Sequence, residues 1–464
     1  MIERPNAWTT YTDADKQALE SLSCGYIDFL NKGKTERECV AETIKQAESK
    51  GYRNVVDVLA KKEAIKPGDK LYYAYMKKAI ALFVIGTDDI EKGMNILGAH
   101  IDSPRLDVKQ NPLYEDSKLA YLDTHYYGGI KKYQWVTMPL AIHGVVVTKS
   151  GQTVNITIGE KEDDPVFCIT DLLPHLGQEQ MEKKAAKVVE GENLDLLIGS
   201  QPADAELKEG VLSYLQTIFK DQYGFEENDL QSAELEIVPA GKARHMGFDR
   251  SMILAYGQDD RVCAYTSLVA MLEVEQVKRT TCCLLVDKEE IGSVGATGMQ
   301  SHFFETIVSE IAEAMGHTSV NATRRILANS CMLSSDVSAG YDPLYASAFE
   351  KKNSSFIGNG VVFNKFTGAR GKSGSNDANA EFVGYVRRLM EDNKVNFQTA
   401  ELGKVDLGGG GTIAYIMALY GMNVIDSGVA VLSMHAPWEV TSKADIYEAK
   451  KCYVAFLQAD GQVK

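Results

Sequence analysis

Hydrophobic and polar positions change texture twice along this chain. The first 65 residues read as helices: Thr12 caps a segment with Asp15 three positions on, and Thr35-Glu36-Arg37-Glu38 is a capping box that predicts a helix stopping at Gly51. Met94-Asn95-Ile96-Leu97-Gly98-Ala99, an apolar run between turn residues, reads as a buried strand with His100 at its end. From 111 to 247 the period drops to two, as in Val154-Asn155-Ile156-Thr157-Ile158, joined to 144–148 by a Lys-Ser-Gly turn. Polar loops and few long helices accompany it. Beyond that stretch helices are expected over 262–277, 303–315, 378–391 and 444–458, with strands over 281–286 and 429–433. Strands alternating with helices on both sides of a β-rich stretch predict one α/β domain, 1–110 and 248–464, interrupted by a second domain, 111–247. Active sites in such open sheets lie at the carboxyl ends of the strands.

Size and charge narrow the function. At 464 residues, 45% of them hydrophobic, the chain can bury large cores in two or three domains, which excludes a disulfide miniprotein, a coiled coil or a disordered tail. The formal charge of −15 repels phosphate backbones and anionic lipid, so neither nucleic acid nor a membrane surface is an expected partner. Apolar runs such as 79–86 fall short of the roughly 20 residues of a bilayer span, and Met1-Ile2-Glu3-Arg4-Pro5 lacks a signal peptide's apolar stretch. A cytoplasmic location is expected. Eight cysteines are scattered, with one adjacent pair, Cys282-Cys283, and no C-x-x-C. They read as reduced core residues, so a metal here must sit on histidine and carboxylate.

Strand ends carry such groups: Gly98-Ala99-His100-Ile101-Asp102, Val286-Asp287-Lys288-Glu289-Glu290, Ser334-Ser335-Asp336 and Ser433-Met434-His435. A fifth segment, Gly257-Gln258-Asp259-Asp260-Arg261, precedes a helix start. In His100-x-Asp102 the carboxylate can turn back to accept the imidazole's second N–H, which fixes the tautomer of a metal ligand; a turn cap before Ser103-Pro104 is the plainer use of Asp102. Glu289 and Glu290 would repel one another at a buried strand end unless a cation or proton compensates, although Lys288 could make them an ordinary charged turn.

Together with Ser103-Pro104-Arg105-Leu106-Asp107, Ile291-Gly292-Ser293, Tyr127-Gly128-Gly129 and Trp135, these motifs resemble the aspartyl aminopeptidase / vacuolar aminopeptidase I family of dinuclear zinc exopeptidases, its bacterial members above all. The resemblance implies a three-layer α/β zinc-peptidase domain of the phosphorylase/hydrolase-like kind, interrupted by a β-rich dimerisation domain. It makes His100, Asp336 and a bridging Asp259 ligands of one zinc, and Asp259, Glu290 and His435 ligands of the other. Glu289 becomes the general base and Asp102 the residue orienting His100. The choice of Asp259 over Asp260 rests on the family's Asp-Asn or Asp-Asp pair, in which the first position bridges; the plainer reading of Asp260 is a helix-start carboxylate favoured by the macrodipole. Such a donor set suits zinc, cobalt or manganese.

The resemblance further implies peptide substrates with free N-termini and a tetrahedral dodecamer built from dimers. Leu173-Pro174-His175-Leu176 matches the place where the family sends a histidine into a partner's site, so His175 is expected at the oxyanion. Lys365, Arg370 and Lys372 lie where the family's substrate loop falls; one of them could select an acidic N-terminal residue, and the preference leans towards neutral residues. Gly408-Gly409-Gly410-Gly411-Thr412 lacks P-loop spacing and reads as close backbone approach beside the site, with a plain flexible loop as the alternative. His125, His143, His245, His302 and His317 have no motif around them and read as structural or surface residues.

Overall fold

In the computed structural model, Thr12 and Thr35 each accept from the amide three residues on while Asp15 and Glu38 reach back, and the two capping boxes start α1 (Asp13–Lys32) and α2 (Glu36–Ser49). Residues 5–204 and 207–461 are described; residues 1–4 of the amino-terminal run considered above lie outside them. The chain continues through β1 (Arg53–Asn54), α3 (Val55–Ala60), the hairpin β2 (Lys70–Tyr75) and β3 (Ala79–Val84), and β4 (Asn95–His100). It then builds β5 (Arg105–Asp116), β6 (Leu119–Tyr127), β7 (Leu140–Val147), β8 (Thr153–Ile158), the single turns α4 (Gln178–Met181) and α5 (Ala185–Val188), β9 (Leu196–Gly199), α6 (Gly210–Ile218) and β10 (Ala233–Pro239). The remainder is β11 (Arg244–Met246), β12 (Met252–Ala255), α7 (Gln258–Glu273), β13 (Thr281–Val286), α8 (Phe303–Ala314), α9 (Ala322–Ala328), β14 (Cys331–Ser334), β15 (Ser338–Ala339), β16 (Val361–Asn364), α10 (Ala380–Asp392), β17 (Phe397–Thr399), α11 (Ala414–Ala418), β18 (Asn423–Gly428), β19 (Ala430–Leu432), β20 (Glu439–Ser442) and α12 (Lys443–Gln458). Among the described residues no helix is long and apolar enough to cross a membrane.

The chain divides into two compact units. One holds the described residues up to Asp102, Ala243–Met434 and those from Glu439 on; the other holds Ser103–Lys242 and His435–Trp438. The division differs from the boundaries expected at 110/111 and 247/248. β5 starts at Arg105 and is hydrogen-bonded into the sheet of the second unit, whereas β11 pairs with β12 in the first.

In the first unit a nine-stranded sheet runs β1-β2-β3-β13-β4-β14-β18-β16-β17. Its strands alternate between two cores. Leu82, Val84, Leu97 and Leu285 pack with α1, α2, α7, α10 and α12, while Ala81, Phe83, Ile96 and Leu284 pack with α3, α8, α9 and α11. That two-sided burial, helices on both faces of a mixed sheet, is why its strands read as continuous apolar runs rather than alternating ones. β13, β4, β14 and β18 are mutually parallel neighbours, so their carboxyl ends lie along one sheet edge. A five-stranded sheet, β11-β12-β20-β19-β15, completes this unit. The second unit is built on a six-stranded sheet, β8-β7-β10-β5-β6-β9, in which β7 and β8 form the hairpin expected from the Lys-Ser-Gly turn.

Candidate active site

Register brings the first groups together. Val286, the last residue of β13, pairs with His100, the last of β4, and Ser334, the last of β14, pairs with Gly98. The loops that follow therefore begin side by side: Ile101-Asp102, Asp287 to Glu290, and Ser335-Asp336, with the Ser335 amide donating to the Gly98 carbonyl at 2.5 Å. Asp259 comes from the opening of α7, where Gly257 takes a left-handed φ of 70° and Asp259 and Asp260 have non-helical backbone. The Asp259 amide donates to Glu439 Oε2 at 3.0 Å, and Gln258 is clamped through Nε2 on the Glu439 and Ile253 carbonyls, so α7's first residues are held from β20.

His100 is buried and has two facing partners. Its Nδ1 lies 3.0 Å from the main-chain carbonyl oxygen of Asp102, to which it donates, leaving Nε2 for the site. Nε2 is 3.2 Å from Asp259 Oδ1, 3.9 Å from Glu289 Oε2 and 4.0 Å from Asp336 Oδ1. The Asp102 carboxylate does more than face the imidazole, at 3.3 Å from Nδ1. It accepts the amides of Glu289 at 3.1 Å and Glu290 at 3.2 Å, so one buried side chain positions the β4 and β13 loops together.

Around His100, two sets of three residues each offer ligand atoms within 4.8 Å of one another: His100, Glu289 and Glu290, and His100, Asp260 and Asp336. The second corrects the expectation for Asp260. Its backbone is not helical and its side chain is fully buried, so it is no macrodipole carboxylate on a helix surface; it lies beside His100 and Asp336.

Electrostatics fit a cation. Burial pushes Asp260 far above the usual carboxylate range, and burial together with the charges of Asp260, Glu289 and Asp259 does the same to Asp336. Burial opposes charge on His100, but Asp102, Asp259 and Glu289 outweigh it and raise the imidazole well above its ordinary value. Carboxylates packed this closely at low dielectric need compensating positive charge, and an all-nitrogen-and-oxygen donor set suits a divalent metal.

Asp426 is a buried carboxylate on a neighbouring strand that the motifs missed. It stands on β18 opposite Ser334, is buried, and accepts the Thr412 hydroxyl on Oδ1 at 2.6 Å. Burial raises it, the Thr412 bond lowers it and the charge of Glu289 raises it further, leaving its pKa pushed up to about 7. The signal was present in Val424-Ile425-Asp426-Ser427-Gly428, another apolar run ending on a carboxylate.

The remaining candidates fall as follows. His435 has a left-handed φ of 64° and is grouped with the second unit, where its Nδ1 is 2.9 Å from the Gly129 carbonyl oxygen. His175 is exposed in the second unit on a turn closed by the Leu176 and Gly177 amides. Lys365 and Lys372 both bind Asp377, the latter at 3.1 Å, while Arg370 is exposed with φ 51°. The four-glycine run does make close backbone approach, but to its own neighbours. A Cβ on Gly409, at φ 111°, would sit 2.4 Å from Ala369 Cα, and the Gly410 amide donates to the Thr367 carbonyl at 2.9 Å.

Comparison with known proteins shows the family. Residues 29–457 match the family described as aminopeptidase I zinc metalloprotease (M18). A probable M18 family aminopeptidase 1 of Clostridium acetobutylicum is 59% identical over 456 residues, covering 98% of each chain. The crystal structure of the M18 aminopeptidase of Thermotoga maritima superposes with a TM-score of 0.94 at 43% identity, covering 99% of this chain and 100% of that one. The S. cerevisiae mApe1 dodecamer shares the fold at 20% identity, with a TM-score of 0.75 over 95% of this chain and 97% of its own. The chain belongs to the M18 family of zinc metalloproteases. It is a metallo-aminopeptidase, a hydrolase.

Proposed function

We propose that this enzyme removes the N-terminal residue of peptides at a two-cation centre, with His100, Asp336 and Asp259 holding one zinc and Asp259, Glu290 and His435 the other, and Glu289 as general base. The observation that carries the reading is the convergence of His100, Glu289, Glu290 and Asp336 from neighbouring strand ends, and of Asp259 from the start of α7, around one shared histidine. Zinc, or cobalt or manganese in its place, polarises a scissile carbonyl and acidifies a water when bound. Glu289 takes the water's proton on its carboxylate and returns it to the departing amine. Asp102 keeps Glu289 in place through its amide and keeps the proton of His100 on Nδ1.

The preference leans towards neutral N-terminal residues: of the three loop cations that could select an acidic one, Lys365 and Lys372 share Asp377, which leaves Arg370 for that role. The second unit serves as the dimerisation domain of a tetrahedral dodecamer, in which His175 reaches a partner's site and stabilises the tetrahedral oxyanion. Leu172, Leu173 and Leu176, all about half exposed or more, give that turn an apolar rim suited to an interface. Eight free cysteines suit a cytoplasmic setting.

The test is Glu289→Gln in the metal-loaded enzyme. Hydrolysis of aminoacyl-anilides should fall about 10²–10⁴-fold, the worth of a general base. Metal analysis should still find at least two ions per chain, as many as in the parent enzyme, and N-acetylated peptides should be untouched by the parent enzyme. Retained turnover would remove Glu289 from its role, and a stoichiometry near zero would remove the metal centre.

A further inference from the structure

Away from these strand ends, α1 carries Glu20 and Cys24 one turn apart, and so on the same face. β11 sets His245 against that face. Each of the three offers one ligand atom, and these atoms lie within 4.8 Å of one another. His245 Nε2 is 3.8 Å from Glu20 Oε1, too far for a hydrogen bond, and His245 Nδ1 is buried with no hydrogen-bond partner among the described residues. Cys24 is exposed, unlike the partly covered Cys168 and the six buried cysteines, so its thiol is open to a ligand. A bond from Lys443 accounts for the place of Glu20, but no hydrogen bond among the described residues accounts for a thiol and an imidazole meeting beside it.

We propose that Glu20, Cys24 and His245 form a peripheral site for one thiophilic divalent transition metal, of which zinc is the type, joining α1 to β11.

Surrounding charge selects the metal. Lys443 Nζ holds Glu20 Oε2 at 2.7 Å, which leaves Oε1 to bind. Lys443 and Arg250 act on both Glu20 and His245. Burial first, and then those two cations, lower the His245 pKa, so the imidazole is neutral and its lone pair available near neutral pH. The same two charges repel a hard cation held by electrostatics alone, such as magnesium or calcium. A metal that bonds covalently to sulfur and nitrogen overcomes them, with the thiol proton released to solvent as the thiolate binds. Three protein ligands leave a further position for water.

Cobalt(II) provides the test, because thiolate ligation gives a near-ultraviolet charge-transfer band and none of the proposed catalytic ligands is a cysteine. Anaerobic titration of the full-length enzyme with cobalt should produce that band, saturating at one ion per chain in the micromolar range and bleached by competing zinc. Cys24→Ser should abolish it, and His245→Ala should weaken cobalt binding at least tenfold. Cys168→Ser should keep it, and all three variants should hydrolyse aminoacyl-anilides at the parent rate. A band that is absent, that survives Cys24→Ser, that is indifferent to His245→Ala or that saturates only at millimolar cobalt would overturn the site.

Discussion

Asp102 shows how much one buried side chain can hold. It offers its main-chain carbonyl to His100 and its carboxylate to two amides, 187 and 188 residues further on. Asp102→Asn keeps the carbonyl but replaces one acceptor oxygen by an NH₂ that faces an amide donor. The expected cost is about 1–3 kcal/mol of stability, the desolvation of one unmet donor. Zinc affinity should drop about 10–100-fold, as when a partner behind a ligand is lost. Metal titration beside urea denaturation separates the two effects. At Thr412, substitution by valine removes the donor to Asp426 Oδ1 and should destabilise by a similar amount, again read from urea denaturation.

At the scale of elements, helix starts carry chemistry beyond capping. Asp445, in the first turn of α12, is fully buried and accepts the Gly358 amide at 2.8 Å and the Gly360 amide at 2.7 Å. Burial raises its pKa against those two hydrogen bonds, to about 8. A carboxyl that holds its proton more tightly folded than unfolded stabilises the protein fully below about pH 4, and that stabilisation disappears as the pH rises towards 8. Asp445→Asn should flatten the decline of Tm between those limits; an unchanged slope would locate the titration elsewhere. The glycine run is an element of another kind. Gly409→Ala combines a left-handed φ with a 2.4 Å clash against Ala369, and the loop over 367–369 must shift. A loss of about 1–3 kcal/mol is expected, with a raised KM if that loop borders the substrate.

For the whole molecule, the carboxylate cluster couples stability to metal. Chelation should abolish hydrolysis and lower Tm, and zinc at about 100 times its Kd should restore about 2.7 kcal/mol. Assembly has its own test. If His175 acts in a partner's site, His175→Ala and Glu289→Gln subunits, each inactive alone, should recover activity when dissociated and reassembled together. Failure of that complementation, with mixed oligomers shown to form, would confine His175 to a structural role. The formal charge of −15 opposes non-specific association between copies of the chain.

Local rules made much of the molecule legible. The capping boxes at Thr12 and Thr35, the apolar strands ending at His100 and Val286, and the period-two hairpin of 144–158 each depend on residues a few positions apart, and the sequence alone determined them. The motif carriers His100, Asp259, Glu289, Glu290 and Asp336 could be named because each terminates or opens such an element. Tertiary structure decided what no short window contains. It turned Asp260 inward, set Asp426 opposite Ser334, committed Lys365 and Lys372 to Asp377, and brought His245 to Cys24. It also moved the start of the inserted unit to Ser103, because sheet membership is a matter of which strands exchange hydrogen bonds. Periodicity and capping energies act between neighbours in the chain, whereas burial, charge compensation and ligand geometry depend on distances between segments that only the packed sheet and its helices establish.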